Sequence, residues 1–291
     1  MRTAIIGLGL IGGSIALDLR KRGFSDELIG VDKNIKNSEK ALELGLVDRI
    51  AGLDEAIKIS DLIILSVPVS IIVELLPYIL SNMKKGAILT DVGSTKEAIC
   101  KSVEDHPNRQ CYVSSHPMAG TENSGPEAAL VDLFNNKTCI ICDIEKSNKK
   151  ALNVIKKMYA CLGMRIVYME PAEHDLHTAY VSHLSHITSF ALANAVLEKE
   201  QDSSAIFNLA GGGFESTARL GKSSPEMWAP IFNHNKENIS EALDLYIKHI
   251  SMFKKCIDEN DSEGYIKLMR NANSIRRVLN NIPKIKKLIT L

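Results

Sequence analysis

A glycine cluster near the start of the chain constrains the fold more than any other feature. The cluster, Gly7-Leu8-Gly9-Leu10-Ile11-Gly12, follows the apolar run Thr3 to Ile6 and leads into a helix-forming stretch, Ser14 to Arg20. A G-x-G-x-x-G pattern between a strand and a helix is typical of a dinucleotide-binding unit, in which the glycines permit a tight turn and the helix amides face a pyrophosphate. We expect contacts to such a cofactor from Gly7, Gly9, Leu10, Ile11 and Gly12. A larger side chain at Gly9 should block its binding.

The first half of the chain alternates β-rich runs with helix-like stretches, which is typical of a mainly parallel sheet with crossover helices. The β-rich runs are Thr3 to Gly7, Leu28 to Asp32, Leu62 to Val67, Ala87 to Asp91, Cys111 to Ser115, Thr138 to Cys142 and Arg165 to Met169. Beyond Pro171 these runs stop, and stretches such as His174 to Glu200 carry apolar residues at helical spacing. We predict an α/β fold, with a Rossmann-type, mainly parallel sheet domain over residues 1–169 and an all-helical domain over residues 170–291.

An acidic residue, Asp32, ends the second β-rich run, twenty residues after Gly12. A carboxylate at this point can accept hydrogen bonds from the adenosine ribose, which favours NAD over NADP. Lys33 and Lys36 leave NADP open, because a cation beside the ribose could tolerate a 2′-phosphate. The simpler interpretation of both residues is that they are ordinary surface lysines.

Three further segments should meet at the carboxyl edge of the sheet, where open α/β sheets bind ligands. Ser66-Val67-Pro68 and Asp91-Val92-Gly93-Ser94 each follow a strand and are candidate nicotinamide contacts, through Ser66, Val67, Pro68 and Gly93. His116 follows the next strand and is our candidate acid/base, since an imidazole with an ordinary pKa near ~6.5 needs only a modest shift to accept a hydroxyl proton. Capping of a turn is the alternative role for His116.

Composition excludes several function classes. Lys plus Arg and Asp plus Glu both total 35, so no overall charge favours nucleic acid or an anionic membrane. The longest apolar run, Leu62 to Val73, is interrupted and falls short of the roughly 20 residues of a membrane span. The N-terminus lacks the pattern of a signal peptide, and six cysteines without regular spacing favour reduced thiols, so we expect a cytoplasmic protein. Cys139 and Cys142 lie in a predicted strand, which favours structural burial over redox or zinc chemistry.

Several segments spread over nearly the whole chain resemble the prephenate and arogenate dehydrogenase family. They are Gly93-Ser94, His116-Pro117-Met118-Ala119-Gly120-Thr121-Glu122, Ser182-His183-Leu184-Ser185-His186, Gly211-Gly212-Gly213-Phe214, Arg219 and Met227-Trp228. The resemblance implies that His116 takes the ring hydroxyl proton, that Ser94 orients that hydroxyl and that Arg219 holds a substrate carboxylate. It further implies that Ser182, His186, Gly212 and Trp228 line the substrate end of the cleft, and that Glu122 shapes or gates it.

The chemistry of Arg219 agrees with the implied role. A doubly carboxylated substrate needs a fixed cation, and a guanidinium is a two-pronged, permanently charged partner. Ser182 and His186 are four residues apart and share one helix face, whereas His183 is turned aside and is expected to pack. His174, Asp175, His177, His183 and His186 also suggest a metal site, but hydride transfer needs no metal.

The resemblance implies NAD-dependent oxidative decarboxylation of prephenate to 4-hydroxyphenylpyruvate, a step of tyrosine biosynthesis, by a homodimer. Arogenate is the alternative substrate, and a non-catalytic NAD-binding regulator is the alternative from a different class. A helix face with small residues, Ala191 and Ala195 among them, is compatible with a dimer interface. We assign no nucleic-acid or membrane partner and no metal.

Overall fold

The computed structural model describes residues 1–202 and 206–281. The chain forms two compact units, residues 1–236 and 237–291. The first unit contains the whole sheet and a set of helices that continues well beyond residue 170. The domain boundary that we place at 169/170 therefore remains a prediction.

An eight-stranded sheet forms the centre of the first unit. Its strands are β1 (Arg2–Ile6), β2 (Glu27–Val31), β3 (Arg49–Ile50), β4 (Leu62–Leu65), β5 (Ile88–Asp91), β6 (Tyr112–Pro117), β7 (Thr138–Cys142) and β8 (Arg165–Met169). The order across the sheet is β3-β2-β1-β4-β5-β6-β7-β8, and every pairing is parallel except the antiparallel pair β6 and β7. The predicted α/β class, with a mainly parallel Rossmann-type sheet followed by helices, is confirmed.

Helices cover both faces of the sheet. The helices of the first unit are α1 (Leu10–Lys21), α2 (Ile35–Glu43), α3 (Leu53–Ile59), α4 (Val69–Asn82), α5 (Glu97–Lys101), α6 (Lys149–Cys161), α7 (Pro171–Thr178), α8 (Leu184–Asp202), α9 (Gly212–Ala218) and α10 (Pro225–His234). Successive residues of β1 point to opposite faces, so Ile5 joins one buried apolar cluster while Ala4 and Ile6 join the other. The two clusters hold the sheet between helix layers and fix the positions of its strand ends.

Two local expectations are corrected. The first helix begins at Leu10, within the glycine cluster, and not at Ser14. Glycine permits but does not encourage a helix start, so propensity alone places the start too late. Strand β3 is absent from the predicted runs because two residues are too few to show the alternation of a strand.

The predicted helix from His174 onward is interrupted. A single π-helical turn, Ala179–His183, lies between α7 and α8. Such turns widen the helix by one residue per turn and occur frequently at functional sites. The turn contains Ser182 and His183, two residues of the segment that resembles the dehydrogenase family.

The second unit is helical where it is described. Its helices are α11 (Lys236–Asp258), α12 (Ser262–Ala272) and α13 (Arg276–Asn281). Several large apolar side chains of α11 are exposed, including Leu245, Ile247 and Ile250. None of the helices in the described parts of the chain has the length and apolar character needed to cross a membrane.

Candidate active site

The glycine cluster forms the turn between β1 and α1. Gly7 has φ +95°, and a Cβ at this residue would lie 2.1 Å from the carbonyl oxygen of Ser66. A Cβ at Gly12 would lie 2.0 Å from the carbonyl oxygen of Gly7. Both glycines are thus required for the turn itself, whereas a Cβ at Gly9 would have nothing within 4 Å.

The open space beside Gly9 fits a bound dinucleotide. Gly9 is the N-cap of α1 and has no side chain that could accept a hydrogen bond. The first amides of the helix, those of Leu10 and Ile11, are therefore left without a capping side chain. A helix start of this kind attracts phosphate through free N–H groups and the helix dipole. These residues fit the pyrophosphate of NAD.

Asp32 lies beside this turn at the end of β2. Its carboxylate accepts hydrogen bonds from the amides of Leu8, at 3.0 Å, and Asn34, at 2.8 Å. The same residue lines a cavity of about 570 Å³ together with apolar side chains such as Ile35, Leu42 and Ile50. A carboxylate beside a cavity lined by both apolar and polar side chains fits the ribose and adenine of the cofactor, and the neighbouring Lys33 and Lys36 are exposed.

The other cofactor candidates follow β4 and β5. Ser66, Val67 and Pro68 lie at the carboxyl end of β4, and the amide of Ser66 donates to the carbonyl oxygen of Ile6 at 2.7 Å. Gly93 is buried, and its amide donates to the Asp91 carboxylate at 2.8 Å. Ser94 is half-buried one residue later.

His116 lies near the carboxyl end of β6, beside the parallel strand β5 that leads to Ser94. It is 8% exposed, and its Nδ1 lies 2.8 Å from Nε2 of His174 on α7. Its Nε2 is accessible to solvent and has no hydrogen-bond partner among the described residues. Burial, followed by the nearby His174 and Lys96, lowers the pKa of His116 well below its usual value, so the imidazole is neutral and able to accept a proton.

A fully buried ion pair supports the strand end that carries His116. The ammonium of Lys96 contacts the Asp91 carboxylate and donates to the carbonyl oxygen of Ser115 at 2.8 Å. The same Asp91 accepts from the Tyr112 hydroxyl at 2.6 Å. A buried charge pair persists only when its hydrogen bonds are satisfied, and here they tie β5 to β6 directly beneath the site.

Arg219 follows α9 and is paired with Glu122. One guanidinium nitrogen lies 2.8 Å from the Glu122 carboxylate, with 47% of the arginine side chain and 23% of the glutamate side chain exposed. Ser189 of α8 fixes this turn, since its hydroxyl donates to the Thr217 carbonyl and accepts from the Gly221 amide. The role of Arg219 as a carboxylate anchor remains a prediction, and its partner in this structure is a carboxylate of the chain itself.

Trp228 and His186 stack with ring centroids 3.6 Å apart, and Trp228 is 6% exposed. His186 Nδ1 lies 3.0 Å from the Ser182 carbonyl oxygen. Burial is the main cause that lowers the pKa of His186, and the positive charge of Arg219 lowers it further. Arg219 is therefore close enough to His186 for its charge to act on the imidazole. Gly212 is the first residue of α9 and is exposed. A Cβ built on it would have no other atom within 4 Å.

His183 is a neighbour of both His116 and the stacked rings of Trp228 and His186. It is buried, accepts a hydrogen bond from the Asn235 side chain at 3.1 Å, and contacts Trp228 edge-on at 5.9 Å between centroids. Its charge would also act on His116, where it lowers the pKa further. No three His, Cys, Asp or Glu side chains of the described residues are grouped so as to hold a metal ion.

The cysteines are all unpaired. Cys139 and Cys142 are buried in β7, and burial raises the pKa of both thiols. A buried protonated thiol is a weak nucleophile and a weak metal ligand. The structure thus places this pair in the core.

Sequence reasoning misses the groups that support His116. His174 and Asp175 enter it only as possible metal ligands, and Lys96 does not enter at all. The signal in the sequence is weak, since a histidine followed by an aspartate at the start of a helix is common. Only the packing of α7 against the end of β6 brings His174 within reach of His116.

The fold and the site together define an NAD-dependent dehydrogenase with a Rossmann-type sheet and a helical second part. Residues 15–168 match the family model for the prephenate dehydrogenase nucleotide-binding domain, and residues 170–271 match the model for the prephenate dehydrogenase dimerization domain. The chain belongs to the prephenate dehydrogenase family.

Individual relatives agree with this membership. Prephenate dehydrogenase of Bacillus subtilis is 32% identical, over 94% of this chain and 74% of the relative. The crystal structure of prephenate dehydrogenase from Aquifex aeolicus with hydroxyphenyl propionate and NAD+ superposes with a TM-score of 0.84 at 31% identity, over 96% of this chain and 98% of that one. Arogenate dehydrogenase of Synechocystis has a TM-score of 0.74 at 30% identity, over 96% of this chain and all (100%) of the relative.

Proposed function

We propose that this chain converts prephenate and NAD to 4-hydroxyphenylpyruvate, carbon dioxide and NADH. Family membership and the similarity to the Bacillus subtilis and Aquifex aeolicus enzymes support the reaction class. NAD, when bound, supplies the hydride acceptor for the ring carbon that carries the hydroxyl. The observation that carries the proposal is His116, a neutral imidazole whose solvent-accessible Nε2 has no partner among the described residues at the carboxyl edge of the sheet.

His116 acts as the general base. Its Nε2 accepts the proton of the ring hydroxyl as the C–H bond on the same carbon breaks, and Ser94 orients that hydroxyl. The ring carboxylate leaves as carbon dioxide, the electrons of its C–C bond enter the ring, and the ring becomes aromatic. The proton then returns to the ring oxygen, so that no proton is gained or lost overall.

Arg219 holds the side-chain carboxylate of the substrate. In this structure the guanidinium is paired with Glu122, so the substrate must displace one carboxylate with another. An exposed ion pair contributes only ~0–1 kcal/mol, which makes the exchange easy. His186, Trp228 and Ser182 form the adjoining wall, where stacked rings exclude water from the reacting carbon.

A homodimer in the cytoplasm completes the proposal. The match of residues 170–271 to a dimerization domain and the exposed apolar side chains of α11 support self-association. Unpaired thiols on all six cysteines support a reducing compartment.

The test is NADH formation by the purified protein with prephenate or arogenate, each with NAD or NADP. We expect turnover with prephenate and NAD, with NAD favoured because Asp32 repels a 2′-phosphate. Preference for arogenate would replace the substrate and leave the reaction class unchanged. An absence of turnover with both substrates would overturn the proposal in favour of a non-catalytic NAD-binding protein.

A further inference from the structure

Three residues form a continuous hydrogen-bonded chain behind the base. His116 Nδ1 lies 2.8 Å from His174 Nε2, and His174 Nδ1 lies 2.7 Å from Oδ1 of Asp175. All three side chains are buried, His174 at 0% and Asp175 at 1% exposure. This hydrogen-bonded series runs from the accessible Nε2 of His116 to the buried carboxylate of Asp175 in the interior of the first unit.

Asp175 can only accept hydrogen bonds in this arrangement. Its Oδ1 accepts from the amide of Lys96 at 2.7 Å, and its Oδ2 accepts from the amide of Glu97 at 2.9 Å. Two backbone donors at the start of α5 therefore hold both oxygens of the carboxylate in place as acceptors. The partner nitrogen of His174 must then carry a hydrogen and donate it.

The role of Asp175 as an acceptor fixes the proton positions on His174 and His116. A neutral imidazole has one donor and one acceptor nitrogen. With Nδ1 of His174 donating to Asp175, Nε2 of His174 is an acceptor, and Nδ1 of His116 must donate to it. The unprotonated nitrogen of His116 is then Nε2, the one that faces solvent and has no partner among the described residues.

We propose that His174 and Asp175 are positioning residues that hold His116 in the tautomer with a free Nε2 and stabilise the imidazolium formed when it takes the substrate proton. His174 does so by accepting from His116, and Asp175 by accepting from His174. The arrangement extends the logic of a base oriented by a carboxylate, with a second imidazole inserted between them. The inference rests on the proposed function, because it requires His116 to act as the base.

The arrangement also has a purely structural interpretation. Asp175 caps the start of α5, and its backbone carbonyl accepts from the Asn235 side chain at 2.7 Å. His174 could in that case simply fill the space between α7 and β6. The two interpretations differ in what they require of Nε2 of His174, since packing needs only volume, whereas positioning needs an acceptor.

The test compares His174→Gln with His174→Leu, two variants whose new side chains are of similar size. In His174→Gln the side-chain amide oxygen takes the place of Nε2 and can accept from His116, whereas the leucine side chain offers no acceptor. We expect His174→Leu to lower kcat by roughly 10- to 10³-fold, less than the ~10²- to 10⁴-fold contribution of the base itself, with little change in NAD affinity or KM. His174→Gln should recover much of that loss.

A double-mutant cycle with His116→Asn distinguishes positioning from packing. If His174 acts through His116, then His174→Leu should lower kcat no further in the His116→Asn background. Equal kcat in His174→Gln, His174→Leu and the wild type would overturn the inference, as would losses in kcat that add in the cycle. If either single variant fails to fold, the other is placed in the same cycle and is judged by the same criterion.

Turnover of the wild type with prephenate is measured first. A wild type that forms NADH while the His174 variants match it would contradict only the positioning role. A wild type without turnover on prephenate or arogenate would instead contradict the proposed function.

Discussion

Arg219 and Glu122 are the residues at which the substrate competes with the protein. Their ion pair is partly exposed, so its contribution is small, whereas a bidentate contact to a bound carboxylate is worth roughly 1.5–3 kcal/mol. We therefore predict that Arg219→Ala raises KM for prephenate by roughly 10- to 100-fold, with a much smaller change in KM for NAD. An unaltered KM for prephenate would rule out the anchoring role.

Glu122→Gln is the matched variant for this pair. Removing the competing charge should lower KM for prephenate by up to about fivefold, since an exposed pair is worth no more than ~1 kcal/mol. Steady-state kinetics at low and moderate salt measures the effect, which should shrink as salt screens the pair. A rise in KM would mean that Glu122 helps to hold the substrate.

Single residues are predictable from sequence where one local pattern defines them. His116 is such a residue, because it comes at the end of a β-rich run, although the strand itself continues through it to Pro117. Its partner His174 is 58 positions further along the chain, and nothing local links the two. The pairing of Arg219 with Glu122, 97 positions apart, is likewise beyond reach of spacing.

The turn from β1 to α1 separates two roles of glycine within one element. Gly9 faces open space, so Gly9→Ala should leave the melting temperature of the NAD-free protein unchanged and weaken NAD binding on the order of tenfold or more, about 1.4 kcal/mol. Gly12 packs against the Gly7 carbonyl, so Gly12→Ala should destabilise the fold itself, by roughly 1–3 kcal/mol or more. Thermal unfolding and NAD titration of both variants check the pair. If Gly9→Ala lowered the melting temperature as much as Gly12→Ala does, Gly9 would also be required for the fold.

Elements are predictable to the extent that they are long and periodic. β7 and β8 have the predicted bounds, Thr138–Cys142 and Arg165–Met169. β3 is too short to be recognised, and the π-helical turn Ala179–His183 has no signature in the apolar pattern, because it changes the hydrogen bonds of a helix and not its composition.

Stability of the whole molecule should depend on three buried neutral histidines. Burial is the largest cause that lowers the pKa of His116, His174 and His183, the last to about 4. An unfolded chain takes up these protons near pH ~6.5, so the stabilisation is fully present above that pH and is lost as the pH falls toward the folded-state values. For His183 alone the loss between pH ~6.5 and ~4 is on the order of 3 kcal/mol.

Denaturant unfolding between pH ~7 and ~5 checks this expectation. As the pH is lowered, the free energy of unfolding of the wild type should decrease, and that of His183→Phe should decrease less steeply. His177→Gln is the control, because His177 is exposed on α7 and its substitution removes a histidine without altering the core. A slope unaltered by His183→Phe would contradict a neutral buried His183.

The fold class and the mainly parallel character of the sheet are predictable for the whole molecule because they depend on the alternation of strands and helices and on one glycine motif. The division of the chain into compact units 1–236 and 237–291 is not, since it depends on how helices pack and not on where strands end. The predicted dimer likewise depends on surfaces, which a periodic pattern alone does not separate from a core.

Comparing NADH formation by the wild type and by His116→Asn tests whether His116 is the base for oxidation of prephenate. We predict that the His116→Asn variant binds NAD with unchanged affinity and has a kcat lowered by roughly 10²- to 10⁴-fold. Unchanged turnover in His116→Asn would contradict this role.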